Sequence, residues 1–452
     1  MFIPKALTTF LGAATLATLP LMGLSEGGKQ PDVIAEATGR LPLEDLRSFA
    51  KVFEQIRQGY VEEVDDRTLL EYAIKGMLQG LDPHSSYLDR RSFDDLQANT
   101  TGEFAGLGIE VGIADDHITV VTPMDDTPAS RAGLKAGDVI LRLAGKSMKG
   151  VSLDEAVEWM RGPKGSSVTL TIARKGHKEP FDVTLKRDTV RVRSVRSKVL
   201  DEGYGYLRIS QFQLDTGTDV AEELIKLQKK GPLKGLIIDL RNNPGGVLQS
   251  SVEVVDAFLE EGLVVYTEGR NESSNLSYSA EPGDLTEGAP LVVLINAGSA
   301  SAAEIVAGAL QDHRRAVVMG TDSFGKGSVQ TVIPITNERA IKLTTALYYT
   351  PNGRSIQAQG ITPDIVVERV KITRLENSKR PTEADLAGHL NNGNGGADRT
   401  SEDRAREQEE RDNWLDRDNQ IFEALNVLKG LNLYAHRDRG LRERFARTDE
   451  KL

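Results

Sequence analysis

The segment that most constrains this chain is a short apolar run, Leu291–Ile295, which passes directly into Asn296-Ala297-Gly298-Ser299-Ala300-Ser301-Ala302-Ala303-Glu304. The run is β-branched and bounded by a turn signal, so it reads as a buried strand, while residues 302–310 read as a helix. The serines then lie on a tight strand-to-helix turn, a shape that lifts a hydroxyl above the end of a sheet. Small residues there let a carbonyl group approach the backbone, and the free N–H groups with the positive end of the helix dipole favour a developing oxyanion. By itself a Ser/Ala/Gly-rich turn is more often an N-cap and a close packing contact. A second segment raises this one above that reading: Ser323-Phe324-Gly325-Lys326-Gly327-Ser328-Val329-Gln330.

Together the two segments read as a serine nucleophile with a lysine base. An ammonium cannot accept a proton, so Lys326 must be desolvated enough to be neutral near neutral pH. Its neighbours Gly325 and Gly327 add no charge. If residues 326–333 form a strand, Lys326, Ser328 and Gln330 share one face, and the Gln330 amide can hold the amine. Two other readings fare worse. Residues 320–326 spell Gly-x-x-x-x-Gly-Lys, but Gly327 stands where a magnesium-holding Ser or Thr is required, which argues against a nucleotide site. His313 could serve a Ser-His-Asp triad, yet Gln311-Asp312 before it and Arg314-Arg315 after it describe a solvated helix end.

At 452 residues the chain exceeds one ordinary core, so two or three domains are expected. The absence of cysteine excludes disulfides, thiolate metal sites and a lipidated amino-terminal cysteine. A net charge of −11, with no concentrated basic stripe, argues against general nucleic-acid binding. None of the six histidines has metal-ligand spacing, and neither a metal nor an organic cofactor is expected. Residues 1–24 carry Lys5 and then an apolar, small-residue run broken by threonines and Pro20, which resembles an export signal more than a membrane span. Ala17 and Gly23 mark where it would be cut. The expectation is a periplasmic protein, with an uncleaved amino-terminal anchor as the alternative.

Residues 25–98 read as a helical arm. Leu43, Leu46, Phe49, Phe53 and Ile56, then Leu69, Leu70, Ile74 and Leu78, recur at helical spacing until Asp82-Pro83 ends the pattern. His84, just beyond, reads as a structural histidine. Over residues 99–189 strands are expected at 118–122, 139–143 and 168–172, with a helix at 152–160 capped by Ser152 and Glu155 in the capping-box position. Gly106-Leu107-Gly108-Ile109 opens a strand there, and a turn-and-helix segment follows at 128–138, so the region resembles a PDZ domain. Such glycines let backbone N–H groups point at a peptide carboxylate while the adjoining strand pairs with the peptide. Over residues 190–370, strands at 236–240, 291–295 and 316–319 alternate with helices at 218–229 and 247–259, the order of an α/β core. Residues 371–412 are polar, glycine-rich and charge-dense, a flexible linker. In 413–452, Trp414, Leu415, Ile421, Phe422, Leu425 and Leu428 form an apolar stripe that needs a partner surface. An assembly role is expected, with docking onto this chain's own core as the alternative.

These segments resemble the carboxy-terminal processing proteases, Ser-Lys peptidases of the tail-specific kind. The resemblance extends to Leu81-Asp82-Pro83-His84-Ser85-Ser86-Tyr87-Leu88, to Asp239-Leu240-Arg241-Asn242-Asn243-Pro244-Gly245-Gly246 and to Thr350-Pro351-Asn352-Gly353-Arg354, in consistent order over about residues 40–370. It implies a multidomain α/β and α+β protein: a crotonase-like protease core with an inserted PDZ domain and helical terminal arms. It implies Ser301 as nucleophile, Lys326 as general base and Gln330 as the residue that orients the lysine, with the spacing favouring Ser301 over Ser299. The oxyanion donors would be the Ala302 N–H and that of Gly245 or Gly246. Ala303 stands where the family often has a further serine, which touches only a minor polar contact. Gly106, Leu107, Gly108 and Ile109 would bind the peptide, and Arg161, after the groove helix, would couple that binding to the core. The substrates implied are exported polypeptides with accessible carboxyl-terminal tails, and the partners a second copy of the chain through the terminal helices, with an adaptor protein as a further one. Two rival functions stand beside this: a PDZ binding protein with an inactive core, which the presence of both Ser301 and Lys326 argues against, and an acyl-thioester enzyme on the same kind of core.

Overall fold

Strands that are apolar without alternation must be covered on both faces, and three such strands organise the carboxyl-terminal part of this protein. The computed structural model describes residues 42–370 except 115 and 125, residues 383–386 and 390, and residues 418–449. The export-signal segment, Trp414, Leu415 and nearly all of the 371–412 stretch therefore lie outside the described residues. The chain forms two compact units, one ending at Ala73 and the other beginning at Ile74. In the first lie α1 (Leu43–Gly59) and the start of α2 (Asp66–Gln79). Asp65 begins α2, its carboxylate accepting from the Thr68 N–H at 3.0 Å and the Thr68 hydroxyl at 2.6 Å. α1 buries none of its residues: Leu43, Leu46, Phe49, Val52 and Ile56 recur at helical spacing and stay exposed.

The second unit opens with β1 (Ser86–Leu88) and α3 (Arg90–Thr101), which Asp89 caps by accepting from the Ser92 N–H at 2.9 Å. A strand-rich domain follows. Its elements are β2 (Glu103–Gly106), β3 (Ile109–Ala114), β4 (His117–Pro123), α4 (Pro128–Arg131), β5 (Val139–Leu143), β6 (Lys146–Ser147), α5 (Leu153–Met160), β7 (Ser167–Ala173), β8 (Phe181–Lys186) and β9 (Asp188–Arg191). β3, β4, β5, β7 and β8 form one antiparallel sheet in that order, with β6 on β5, whereas β2 pairs only with β9. The strands alternate as a one-sided sheet should: Val168, Leu170 and Ile172 are buried and pack with Ile118, Val120 and Ile140. Asp138, buried between its turns, is held by Arg174 at 2.7 Å.

The α/β core contains β10 (Val195–Asp201), β11 (Tyr204–Ile209), α6 (Thr216–Gln228), β12 (Gly235–Asp239), α7 (Leu248–Asp256), β13 (Gly262–Gly269), β14 (Ser277–Ala280), β15 (Leu291–Ile295), α8 (Ala302–Asp312), β16 (Ala316–Gly320), β17 (Ser328–Thr336), β18 (Arg339–Tyr349) and β19 (Ile365–Val366). One sheet runs β10-β11-β12-β15-β16-β19, parallel from β11 onward. A second, antiparallel sheet runs β1-β18-β13-β14, with β17 also on β18. On the first sheet Leu236, Ile238, Val293 and Val318 face a core shared with Val220, Leu224, Val254, Val255, Ile305 and Val306 of α6, α7 and α8. Ile237, Val292, Leu294 and Met319 face the other way.

What covers that second face corrects the expectation for the carboxyl-terminal helix. α9 (Asn419–Asp449) lays Ile421, Ala424, Leu425 and Leu428 onto Ile237, Val292, Leu294 and Met319, and Lys429 pairs with Asp201 at 2.6 Å. The spacing i, i+3, i+4, i+7 is that of one helical face. For Ile421, Leu425 and Leu428 the alternative, docking onto the chain's own core, holds, while Trp414 and Leu415 lie outside the described residues. Burying Ile421, Leu425 and Leu428 contributes about 1.5–3 kcal/mol each as an upper bound, more than enough to hold a helix that propensity alone would not.

Candidate active site

The expected turn forms at the carboxyl end of β15. Asn296 folds it by accepting at Oδ1 from the Asn242 N–H at 2.8 Å and the Gly298 N–H at 3.0 Å. The hydroxyl of Ser299 is fully buried and committed, donating to the Leu240 carbonyl at 2.8 Å and accepting from the Asn296 N–H at 3.0 Å. That removes Ser299 from any reaction. Ser301 differs: it is half-buried, begins α8 with φ 57° and ψ −116°, and lines a cleft of about 340 Å³. A non-glycine residue held at positive φ carries strain of about 1–3 kcal/mol and needs surrounding contacts to impose it.

Glu304 is one source of those contacts, and it is the residue that sequence reasoning missed. It is fully buried in the first turn of α8, where its Oε2 accepts from the Ser301 N–H at 2.7 Å and the Lys326 N–H at 2.9 Å. Its Oε1 accepts from the Ser323 hydroxyl and the Gly325 N–H, both at 2.6 Å. One carboxylate thus ties the serine turn to the lysine loop through four hydrogen bonds. Burial pushes the Glu304 carboxyl above its usual range, and the same four donors pull it back. A Glu three residues after a helix-starting Ser is a capping-box signal, so the link to Ser301 was legible; the link to residues 323–326 was not.

Lys326 lines the same cleft as Ser301. Its amine is held below the usual lysine range, first by burial and then by the Lys342 ammonium, against the opposing pull of Glu304 and Asp82. The fully buried Tyr348 donates its hydroxyl to the Lys326 carbonyl, and both Tyr348 and Lys342 line the cleft. Gln330 is brought to the cleft as well, yet its side chain does something other than expected. The strand begins at Ser328, two residues after Lys326, and the Gln330 amide donates to the Ser328 hydroxyl at 2.9 Å instead of holding the amine. His313 sits at the far end of α8, roughly 16 Å along the helix at 1.5 Å per residue. It is half-buried, with its Nε2 2.7 Å from the Leu263 carbonyl oxygen, and Arg314 beside it is exposed. His84 is half-buried and held below its ordinary value, first by burial and then by the neighbouring Lys326 and Lys342, against the opposing pull of Asp82.

The loop after β12 brings the two glycines against this turn, and their surroundings tell them apart. The Gly245 N–H donates to the Asn243 side chain at 2.9 Å, so it is occupied. Gly246 lines the cleft beside Ala302, whose N–H is one of the orphan donors of a helix start. Both positions exclude a side chain. A Cβ on Gly245 would lie 2.7 Å from the Ser301 Cβ, and one on Gly246 would lie 2.0 Å from the Phe212 carbonyl oxygen. Asn243 is itself fully buried, donating to the Ile209 carbonyl at 2.9 Å.

In the strand-rich domain, Gly106, Leu107, Gly108 and Ile109 form one wall of a groove whose other wall is Val157, Met160 and Arg161 of the α5 end. The Phe104 ring also lines it, close over Gly106. Arg161 does not reach the residues 190–370 core. Its guanidinium stacks over Phe104 at 5.8 Å and pairs with Asp95 of α3 at 2.5 Å. α3 is the connection that sequence reasoning overlooked, because Leu96, Asn99 and Thr100 on the same helix line the Ser301 cleft.

Comparison with known proteins agrees with these features. Residues 203–367 match peptidase family S41, residues 95–173 the PDZ domain, and residues 16–92 the "Activating protease CtpB N-terminal domain". The chain is 50% identical over 349 residues to the carboxy-terminal-processing protease of Bartonella bacilliformis, covering 76% of this chain and 80% of that one. It is 38% identical over 370 residues to carboxy-terminal processing protease CtpB of Bacillus subtilis, covering 80% and 75%. The solved photosystem II D1 C-terminal processing protease is 31% identical, with 71% of this chain and 87% of that chain covered and a TM-score of 0.43. Identity at this level over this much of both chains shows the family: the chain belongs to peptidase family S41, a serine-type carboxy-terminal processing protease with a PDZ domain.

Proposed function

We propose that this protease cleaves polypeptides by a Ser-Lys acyl-enzyme mechanism. Neutral Lys326 takes the hydroxyl proton of Ser301 as Oγ attacks the scissile carbonyl. The oxyanion is received by the N–H groups of Gly246 and Ala302, and the lysine ammonium returns its proton to the leaving amine. Water then attacks the acyl-enzyme, giving its proton to Lys326, and Ser301 recovers its hydroxyl. The single observation that carries this reading is the desolvated Lys326 lining one cleft with the strained Ser301, both backbones tied to Glu304. The Gln330 amide bonds the hydroxyl of Ser328, two residues beyond the base, so an orienting role for Gln330 has no direct contact with the Lys326 amine behind it. Ser301→Ala and Lys326→Ala should each lower kcat on an unstructured polypeptide by about 10⁴-fold or more, since the two act as a unit, while leaving the melting temperature close to wild type. Retained cleavage in Lys326→Ala with loss in His313→Ala would move the base to the histidine.

The PDZ groove is the site for substrate carboxyl-terminal tails: a tail adds a strand along β3 and places its carboxylate on the 106–109 backbone. Phe104, Arg161 and Asp95 connect that groove to α3, which supports a coupling role for Arg161. Arg161→Ala should therefore narrow the rate ratio between chains carrying and lacking a recognised tail. An unchanged ratio would show that the arginine is only a surface contact. Export to the periplasm and assembly into a homo-oligomer complete the proposal, with the exposed Leu43, Leu46, Phe49, Val52 and Ile56 of α1 as the assembly surface and an adaptor protein as a further partner. Carboxyl-terminal proteomics of the exported fraction with wild type and Ser301→Ala would test location and substrates together.

A further inference from the structure

Gly246 is positioned by a six-residue loop, and the first residue of that loop is gripped from a distant part of the chain. Arg241 is nearly buried, and one side of its guanidinium forks onto Asp239 at the end of β12, Nε to Oδ1 at 2.9 Å and Nη2 to Oδ2 at 2.6 Å. The remaining donors are taken 177 and 179 residues later in the sequence: Nη1 donates to Asp418 Oδ1 at 3.0 Å and to Gln420 Oε1 at 2.7 Å, and Nη2 lies 2.9 Å from Asp418 Oδ2. Asp418 also starts α9, accepting from the Gln420 N–H at 3.1 Å and the Ile421 N–H at 3.2 Å. Gln420 is further pinned by donating to the Val367 carbonyl at 2.6 Å.

Asp239 does not need this help to stay ionised. Tyr206 donates to it at 2.8 Å, and Arg208 lies 3.7 Å from it. Arg241, in contrast, would keep only its Asp239 fork without α9, and its Nη1 would lose both of the acceptors it has here. A bidentate fork fixes the plane of a guanidinium, and a second fork on the adjoining edge, sharing Nη2, fixes its position, which is what a precisely held loop start requires. The loop that follows contains Asn242 at φ 53° and the two positive-φ glycines, a conformation that only over-determined contacts maintain.

We infer that Asp418 and Gln420 are positioning residues for the oxyanion loop 241–246, acting through Arg241, so that the carboxyl-terminal helix is a working part of the peptidase as well as a cover for its sheet. This rests on the Ser-Lys peptidase reading above. The geometry makes α9 a clamp: its apolar face supplies the adhesion, and its first turn supplies the grip on the loop.

The test uses the full-length chain with Asp418→Asn, which can still cap the helix, with Gln420→Leu, and with the two combined. Competent serines are counted by fluorophosphonate labelling, and kcat and KM are measured on an unstructured polypeptide. In parallel, amide hydrogen exchange is followed over residues 240–247 and over α8. The double variant should lose about tenfold in kcat per labelled site with KM within about twofold, a fraction of the hundredfold or more that follows outright loss of an oxyanion donor. Exchange over 240–247 should quicken while α8 keeps its protection. Wild-type kcat per site together with wild-type exchange over 240–247 would overturn the clamp and leave the peptidase reading standing. A wild-type protein that cleaves nothing would instead sink the peptidase reading, and the exchange result alone would then decide the clamp. If Asp418→Asn proves too unstable to study, Gln420→Leu alone decides by the same two measurements.

Discussion

At Lys326 the chemistry depends on a charge balance that single substitutions can shift in a known direction. Burial and the Lys342 ammonium both disfavour its protonated form, and Glu304 and Asp82 favour it. In the proposed mechanism the active species is the free amine, so kcat/KM should rise with pH through the lowered lysine value and then level off. Replacing Lys342 by Gln removes one of the two depressing causes, so the Lys326 value climbs and the rising limb moves to higher pH. A pH profile of Lys342→Gln that overlays wild type would show that Lys342 lies outside the electrostatics of the base. At the same scale, Gly245 has no room for a side chain. An added Cβ would stand 2.7 Å from the Ser301 Cβ at φ 98°, so Gly245→Ala should push the serine out of line and lower kcat by about 10²-fold or more, with a stability loss of only about 1–3 kcal/mol. Unchanged kcat in the purified variant would mean that the turn can yield without moving the hydroxyl.

Among the elements, α3 and α9 matter more than their sequences suggest. Each carries few features that a motif search would notice, yet each reaches the cleft or its loops from outside the 203–367 match. α3 holds Arg161 of the PDZ groove with Asp95 and lines the cleft with Leu96, Asn99 and Thr100, four positions within two helical turns. A shift of this helix would be felt at both sites, which is the physical content of the coupling proposed for Arg161. α9 covers the second face of the parallel sheet. Leu425→Ala should destabilise the protein by about 2–4 kcal/mol, read from urea unfolding, because its neighbours on the sheet cannot collapse into the space. A loss well under 1 kcal/mol would mean that the helix is not seated on the sheet in solution.

For the whole molecule, the arrangement reverses an expectation about truncation. A carboxyl-terminal assembly arm, once removed, should leave a smaller particle. Here, cutting after Val370 would bare Ile237, Val292, Leu294 and Met319, the face of a sheet, and exposed apolar patches of this kind drive association. Light scattering should therefore report a larger, heterogeneous mass for the truncated chain. A clean, soluble particle of the intact protein's oligomeric state would contradict the covering role of α9.

Much of this was legible from residues alone. Unalternating strands such as Leu291–Ile295 announce burial on both faces, the serine turn between strand and helix follows from small residues meeting a helix start, and Ser152 caps α5 where a capping residue should. These are local matters, set by periodicity and by which backbone groups lack partners. Other facts depend on who sits next to whom across long stretches of chain. That Glu304 joins Ser301 to Lys326, that the Gln330 amide turns to Ser328, that Gly245 is occupied while Gly246 lines the cleft, and that Asp418 grips Arg241 are all consequences of packing. The sequence by itself determined the strands, the nucleophilic turn and the kind of chemistry it could support, because those rest on near neighbours. The tertiary structure alone decided which polar groups remain free to act, since a buried donor or acceptor takes whichever partner the fold brings within reach.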